Sequence, residues 1–218
     1  MIRLAIGMLF ILVNFAPEIG NLSINLLPEF VGYIFILSVS DKLAKKSDYF
    51  KGLSGMLFLM VVYKVVDYII MMFALDKDVL ATVFFWLGIV MTILSLVIQF
   101  RVYCGIDEIA YDDDVRVNTS KIFLLFKVQV VLTVLAYVNT IYRIYLNYST
   151  TGEIIPGLSR PVFRLLSKFP EEVLGGLDIF GSSMILAGVV VKMIMVVFVF
   201  GVCSDYDKIM NSRSGKRD

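Results

Sequence analysis

The amino-acid sequence predicts an all-α, polytopic membrane helix bundle with six transmembrane helices. Of the 218 residues, 59% are hydrophobic, whereas a soluble domain of this size is about 45–50% apolar. Only 18% of the residues are charged, and the mean hydropathy is +0.85. The charges lie mostly between apolar runs of about 17–25 residues, the length that crosses a bilayer. We therefore expect a transmembrane domain over residues 1–204 and a cytoplasmic tail over residues 205–218.

Six apolar runs justify the six helices. In chain order they are residues 2–15, which is short, 26–43, 53–75, 79–104 with a continuation to 110 as a variant, 119–146 and 177–203. Between the first two runs, residues 17–27 are too polar for the middle of a bilayer and too apolar for a plain loop. We interpret them as a re-entrant turn or as a broken start to the second helix, since non-helical backbone at that depth needs cover from protein or water.

The first apolar run has a second interpretation as a cleaved signal peptide. Arg3 precedes the run, and Ala16 could mark a cleavage point. However, Asn14 would be the third residue before the cut, where it is a poor fit, and Pro17 would follow the cut. We therefore prefer an uncleaved first helix.

The second helix is entered through Pro28 and carries Gly32. Proline suits the first turn of a helix, and Glu29 then meets the positive end of the helix dipole. A capped helix start explains this pattern, and a gate or substrate contact is the alternative.

The long outer loop, residues 147–176, contains a predicted interfacial helix at residues 159–169. Ser159 can cap this helix and Pro161 fits its first turn. Apolar side chains then recur at helical spacing on one side, namely Val162, Leu165, Leu166 and Phe169. Such a helix lies on the outer leaflet or packs as a lid on the bundle.

Lysine and arginine residues predict the orientation in the membrane. With the N-terminus inside, twelve of them lie on the inner side and five on the outer side, which agrees with the positive-inside rule. The inner set is Arg3, Lys42, Lys45, Lys46, Lys51, Arg101, Arg116, Lys121, Lys208, Arg213, Lys216 and Arg217, and the outer set is Lys77, Arg143, Arg160, Arg164 and Lys168. We expect both termini to be cytoplasmic.

A weak internal repeat recurs at the inner ends of the even-numbered helices. Each end has an aspartate, then a charged residue, then an aliphatic one: Asp41-Lys42-Leu43, Asp107-Glu108-Ile109 and Asp207-Lys208-Ile209. One interpretation is three parallel helix-hairpin repeats, as some transporters have. Chance similarity among membrane-exit sequences is the other.

Composition excludes several classes of function. The net charge of +1 argues against a nucleic-acid binder, which would carry a basic patch. The chain has no histidine, which removes Ser-His and Cys-His catalysis and His-ligated zinc or haem. The two cysteines, Cys104 and Cys203, are too few for a disulfide framework or a typical metal site. We expect no cofactor, no metal and no enzymatic activity.

Ionisable side chains within the predicted spans are the candidate functional residues. Lys64, Asp67 and Lys192 each lie near the middle of an apolar run, where a charge costs about 2.5–3.5 kcal/mol on insertion scales. Lys64 and Asp67 are three residues apart and share a helix face. Lys192 has no acid within one turn, and we expect it to pair with Asp67 from another helix.

The candidate substrate- or ion-binding set also includes the shallower Lys127 and, at the mouth of the second helix, Glu29. The lysines outnumber Asp67, the acid that lies well inside a membrane segment. This surplus of positive charge suits a bound carboxylate or phosphate, or supports proton exchange by buried lysines. The structural alternative is that the charges neutralise one another and hold helices together.

One segment near the N-terminus has the pattern of a family. It reads Ile24-Asn25-Leu26-Leu27-Pro28-Glu29-Phe30-Val31-Gly32-Tyr33, followed by Asp41-Lys42-Leu43 and Tyr49-Phe50. It resembles uncharacterised small multi-span inner-membrane proteins of Gram-positive bacteria, which carry Leu-Pro-Asp-Phe-Ile-Gly-Tyr after an Ile-Asn-rich turn. Here Glu29 replaces the usual aspartate and Val31 the usual isoleucine. The resemblance implies a location in the inner (plasma) membrane and no particular activity.

The leading functional hypothesis is a small transporter, or the membrane subunit of a transporter, with a polar site at mid-membrane for a small solute or ion. A chain of 218 residues is small for a transporter acting alone, so we expect a homo-oligomer or a larger complex in the lipid bilayer. The first alternative is a structural or interaction protein, such as an assembly, regulatory or immunity factor. The second is a membrane-embedded enzyme.

Overall fold

The chain is a helical bundle. The computed structural model describes residues 1–13, 18–19, 22–23, 28–73, 77–115, 117–151 and 171–214, with side chains at 1–13, 28–70, 86–115, 117–143 and 186–213. In this part of the chain the α-helices are α1 Ile2–Leu12, α2 Glu29–Leu43, α3 Leu53–Phe73, α4 Lys77–Asp112, α5 Ser120–Thr151 and α6 Glu171–Ser214. They follow the six predicted runs in order, which confirms the predicted all-α membrane bundle.

Four of these helices are long and apolar enough to cross a membrane. Their apolar stretches are Leu53–Ile70 in α3, Trp86–Asp112 in α4, Ser120–Arg143 in α5 and Leu186–Arg213 in α6. By contrast, α1 has 11 residues and α2 has 15, which at 1.5 Å per residue gives about 16 and 22 Å. A hydrocarbon core is about 30 Å thick, so length and composition support four spans where the sequence predicted six.

The segment between α1 and α2 contains a feature that the sequence did not reveal. Strands β1, Glu18–Ile19, and β2, Leu22–Ser23, pair antiparallel. Helix α2 then begins at Glu29, with Pro28 as its N-cap, rather than at residue 26. The predicted interfacial helix at residues 159–169 lies outside the described residues. Helix α6 continues to Ser214, past the predicted start of a tail at residue 205.

Helices α1 and α2 cross at two glycines. A Cβ atom built on Gly32 would lie 2.5 Å from the Gly7 carbonyl oxygen and 2.9 Å from Cβ of Phe10. A Cβ atom on Gly7 would lie 2.8 Å from the Gly32 carbonyl oxygen. Glycine at both positions therefore lets the two backbones touch, as small residues do between membrane helices.

The chain forms two compact units. The first comprises Met1–Leu75, Met91–Phe126 and Lys192–Asp218, and the second comprises Asp76–Val90 and Lys127–Val191. The first unit has a continuous apolar core, in which the fully buried side chains include Leu4, Met8, Tyr33, Ile36, Leu57 and Ile98. In the second unit the Tyr137 hydroxyl donates a hydrogen bond to the Gly88 carbonyl oxygen, 3.4 Å away.

Arg101 fastens the turn between α2 and α3 to α4. Its Nε atom donates to the Tyr49 carbonyl oxygen at 2.8 Å, and one Nη atom donates to the Lys51 carbonyl oxygen at 2.7 Å. Within the same turn Phe50 is buried against Gly105 of α4. The turn therefore holds the start of α3 beside α4.

Polar contacts join several helix ends at one end of the first unit. An end cluster is formed by Lys46, Asp113, Tyr206 and Arg213. Lys46 Nζ lies 3.0 Å from Asp113 Oδ2, and the Tyr206 hydroxyl donates to the same oxygen. Arg213 donates to the carbonyl oxygen of Asp113 at 2.6 Å. Nearby, the backbone N–H of Ile2 donates to Asp207 Oδ2 at 3.1 Å, so the start of α1 and the last turns of α6 share this end.

We expect the end cluster to make stability fall in acid. The hydrogen bond from Tyr206 and then the Lys46 ammonium lower the pKa of Asp113 below its usual 3.8. A lowered folded-state pKa stabilises the fold above the unfolded value, and that contribution is lost as the pH falls below about 4. Asp113→Asn should therefore flatten the acid side of the stability curve, measured by thermal unfolding in detergent. The effect should be under about 1 kcal/mol, because Lys46 is half exposed.

The matched control for this prediction is Asp112→Asn, at the exposed neighbouring position. It should keep the wild-type dependence on pH. On the alkaline side, the Asp113 hydrogen bond raises the pKa of Lys46 above 10.5. The contribution of Lys46 is therefore complete below that value and is lost only above it. Identical acid-side curves for wild type and Asp113→Asn would contradict the assignment.

Candidate functional site

Three charged side chains meet where α2 begins beside α3. Lys64 Nζ lies 2.8 Å from Glu29 Oε2 and 3.8 Å from Asp67 Oδ2. Pro28 ends the extended backbone and places Glu29 in the first turn of α2, where the helix dipole favours a carboxylate. Lys64 and Asp67 share one face of α3, as predicted. We call Glu29, Lys64 and Asp67 the carboxylate–lysine cluster.

The cluster lies at the middle of a membrane-crossing helix. Helix α3 has 21 residues, so its length is about 31 Å, and Lys64 lies about 16 Å from its beginning at Leu53. Because the Glu29 carboxylate contacts Lys64, the first turn of α2 lies at the same depth. Helix α2 therefore begins level with the middle of α3, with Glu29 at its N-terminus. A half-helix whose N-terminus faces a polar site is a recurring feature of transporter binding sites.

The three side chains are partly covered by protein. The exposed fractions are 23% for Lys64, 18% for Glu29 and 36% for Asp67. Aromatic rings line the same region: Lys64 Nζ lies 5.7 Å from the ring centre of Tyr63. The rings of Phe30 and Tyr68 pack edge to face, with centres 5.7 Å apart. Aromatic side chains of α2 and α3 therefore lie next to these charged residues.

The structure does not form the predicted pair between Lys192 and Asp67. The structure describes both side chains, and no ion pair within 4.0 Å joins them. Asp67 lies 3.8 Å from Lys64 instead, and Glu29 lies 2.8 Å from the same ammonium. Lys192 lies half-buried on α6. Lys127 lies exposed on α5 and belongs to the second unit. Of the five candidates, the structure thus brings together Glu29, Lys64 and Asp67.

The charge balance of the site is the reverse of the expected one. The sequence predicted a positive surplus because Glu29 was assigned to the mouth of a helix. With Glu29 on Lys64, two carboxylates face one ammonium, and the cluster carries a net charge of −1 when all three groups are ionised. The expectation of an anion site from surplus lysines stays a prediction, and the charge of this cluster does not favour it. One signal was available in the sequence: a helix that begins at Pro28 and ends near residue 43 is too short to span a bilayer.

A second polar group lies one turn along α2 from Glu29. The hydroxyl of Tyr33, which is fully buried, forms a 2.7 Å hydrogen bond with Oγ of Ser95 on α4. Gln99, one turn further along α4, donates from Nε2 to the same Ser95 oxygen at 3.2 Å. The sequence analysis did not identify Tyr33 and Ser95 as partners. Their contact depends on which faces of α2 and α4 meet.

The described residues offer little for a metal ion. Among them, no group of three or more Cys, Asp and Glu side chains is placed to hold one. Cys104 and Cys203 are free thiols in the C-terminal thirds of α4 and α6. The chemistry of the site is therefore that of carboxylates, an ammonium and hydroxyl groups.

The chain was compared with protein-family models, with curated proteins and with solved structures. No family model, no curated protein and no solved structure matches it. The resemblance of residues 24–50 to Gram-positive membrane proteins stays a prediction.

Proposed function

We propose that this integral membrane protein moves a small cation or protons across the membrane, alone or as the membrane subunit of a transporter. The observation that carries the proposal is the carboxylate–lysine cluster at mid-membrane, with Lys64 Nζ 2.8 Å from Glu29 and 3.8 Å from Asp67. Ionisable groups at this depth are rare, costly to insert and usually part of ion or proton pathways.

Charge neutrality identifies the class of ligand. Lys64 Nζ lies 2.8 Å from Glu29 and 3.8 Å from Asp67, so Asp67 is the carboxylate whose charge Lys64 compensates less. A charge that is held away from water and poorly compensated is costly. A proton or a monovalent cation on Asp67 removes that cost, and its departure restores it. The cluster can therefore bind and release one positive charge while Lys64 stays in place.

The surroundings of the protein follow from this proposal. The described residues contain four helices long enough to cross the bilayer. Four spans are few for a transporter that acts alone, which favours a homo-oligomer or a larger membrane complex. The lysine and arginine distribution favours an inner-membrane location with both termini cytoplasmic. No feature of the cluster calls for enzymatic chemistry.

A structural role is the second candidate, and a specific observation favours it. The ion pair between Lys64 and Glu29 fastens α2 to α3, while Gly7 and Gly32 fasten α1 to α2. An assembly, regulatory or immunity factor would use these contacts only to hold three helices together. In that case Asp67, the more distant acid at 3.8 Å, would be dispensable.

Asp67→Asn separates the two candidates. The variant keeps the ion pair between Lys64 and Glu29 and removes the surplus charge. Wild type is reconstituted in vesicles that contain a pH-sensitive dye, and a potassium gradient with valinomycin drives cation entry. Proton flux and the uptake of radiolabelled sodium, which valinomycin does not carry, are measured. We expect Asp67→Asn to fold normally and to lose flux by about tenfold or more, because the cluster no longer needs an added positive charge.

The matched control is Asp205→Asn. Asp205 also lies 3.8 Å from a lysine three residues away, Lys208, but it is 65% exposed. This change should leave flux at the wild-type value. Wild-type flux no greater than that of empty vesicles, or full flux in Asp67→Asn, would contradict translocation through the cluster. Full flux in Asp67→Asn with stability lost on breaking the Lys64–Glu29 pair would support the structural role.

A further inference from the structure

A line of polar side chains leads from the carboxylate–lysine cluster toward the end of α4. On α2, Glu29 and Tyr33 are four residues apart and share a face. On α4, a second set recurs every four residues: Ser95, Gln99, Tyr103 and Asp107. Residues four apart form a continuous ridge on a helix surface. The ridge from Ser95 to Asp107 is about 18 Å long at 1.5 Å per residue.

Direct hydrogen bonds join the part of this line between Tyr33 and Gln99. The Tyr33 hydroxyl and Ser95 Oγ are 2.7 Å apart, and either can donate. Gln99 Nε2 donates to Ser95 at 3.2 Å. Tyr33 is 0% exposed and Gln99 is 4% exposed, so both groups lie away from lipid. A hydroxyl pair of this kind can accept a proton on one lone pair and release another, which leaves both groups unchanged.

Tyr103 is the most unusual member of the ridge. Its side chain is 1% exposed, and its hydroxyl has no hydrogen-bond partner among the described residues. Buried hydroxyl groups are hydrogen-bonded in the large majority of structures, to protein or to ordered water. Leaving one unpaired costs about 1–3 kcal/mol. Tyr103 therefore places a buried hydroxyl with unused hydrogen-bonding capacity between Gln99 and Asp107 on the ridge.

The end of the ridge at Asp107 is exposed to solvent. Asp107 is exposed and accepts a hydrogen bond from Thr119 Oγ1. It lines an open cavity of about 680 Å³ together with Asp112 and Asp114. A carboxylate at the mouth of a cavity can exchange protons with bulk water.

We propose that the ridge is a proton relay between the carboxylate–lysine cluster and the end of α4, which makes the proton the ion that the cluster exchanges. A proton leaves the Glu29–Asp67 pair, passes through the hydroxyls of Tyr33 and Ser95, then through water held by Gln99 and Tyr103, and binds to Asp107. Each hydroxyl gains one proton and gives up one. Gln99 orients its neighbours and does not itself transfer a proton, since its amide nitrogen only donates.

This relay rests on the proposed translocation function, and Tyr103→Phe tests it. The change removes one oxygen that has no partner among the described residues, so stability should be unchanged or higher. In the vesicle assay we expect proton flux to fall by about tenfold. Tyr49→Phe is the matched control: Tyr49 lies in the turn between α2 and α3, away from the ridge, and is 41% exposed, and loss of its hydroxyl should leave flux unchanged.

A double variant, Tyr33→Phe with Ser95→Ala, provides the second test. The double change removes both hydroxyls of the Tyr33–Ser95 hydrogen bond, but it also removes the Ser95 acceptor of the Gln99 amide. Thermal unfolding is therefore measured beside flux, and a slower proton flux in protein of wild-type stability would again reflect transfer. If both tests leave proton flux unchanged while Asp67→Asn abolishes it, the relay is wrong and the translocating cluster stands. If Asp67→Asn has full flux, the proposed function itself is wrong. Slowed proton flux with unchanged stability in both ridge variants supports the relay.

Discussion

Lys64→Met should destabilise the protein by about 2–3 kcal/mol, because it removes the ammonium that two partly covered carboxylates share. The loss is smaller than for a fully buried ion pair, since Lys64 is 23% exposed and Glu29 is 18% exposed. In this chain the change leaves two carboxylates, Glu29 and Asp67, at mid-membrane with their shared ammonium gone. We expect little folded, monodisperse protein in detergent at growth temperature. Thermal unfolding followed by size-exclusion chromatography measures the effect.

Two further variants show whether charge is the cause. Lys64→Met combined with Glu29→Gln and Asp67→Asn removes all three charges and should recover most of the lost stability, because no unpaired charge remains. Lys192→Met makes the same substitution on a lysine that has no ion pair with Asp67, and it should cost under about 1 kcal/mol. Equal losses for Lys64→Met and Lys192→Met, or no recovery in the triple variant, would contradict this account of the cluster.

The sequence was sufficient for the features that depend on local patterns. Runs of apolar residues predicted the beginning of α3 at residue 53, which the structure has at Leu53. The spacing of Lys64 and Asp67 predicted a shared face because helix geometry is the same everywhere. Pro28 marked the start of a helix, and the structure begins α2 at the next residue. Each of these depends on only a few residues of context.

Features that depend on which helices are neighbours were not predictable from one sequence. Lys192 was assigned to Asp67 on charge alone, but Glu29 reaches Lys64 from α2. The hydrogen bond between Tyr33 and Ser95 and the contact of Gly7 with Gly32 also join separate helices. Helix order in a bundle is set by packing summed over many side chains. The length of α2 was the local clue, since 15 residues are too few to cross a bilayer.

Gly32→Ala should have the second-largest effect, because it disturbs both the α1–α2 crossing and the cluster. The added Cβ atom would lie 2.5 Å from the Gly7 carbonyl oxygen, and backbone cannot rotate away as a side chain can. Overpacking of this kind costs about 1–3 kcal/mol. Gly32 lies one turn from Glu29, so separating α1 from α2 also shifts the carboxylate relative to Lys64. We therefore expect a lower unfolding temperature together with reduced proton flux in vesicles.

Gly55→Ala is the control for this prediction. A Cβ atom on Gly55 of α3 meets no other atom within 4 Å, and alanine favours a helix over glycine by about 1 kcal/mol. Gly55→Ala should be as stable as wild type or more stable, with unchanged flux. If Gly32→Ala lowers stability and leaves flux intact, the crossing is structural and does not position Glu29. If Gly32→Ala is as stable as wild type, α1 and α2 do not pack through these glycines. The joint loss is the expected result because one short half-helix carries both the glycine contact and the carboxylate.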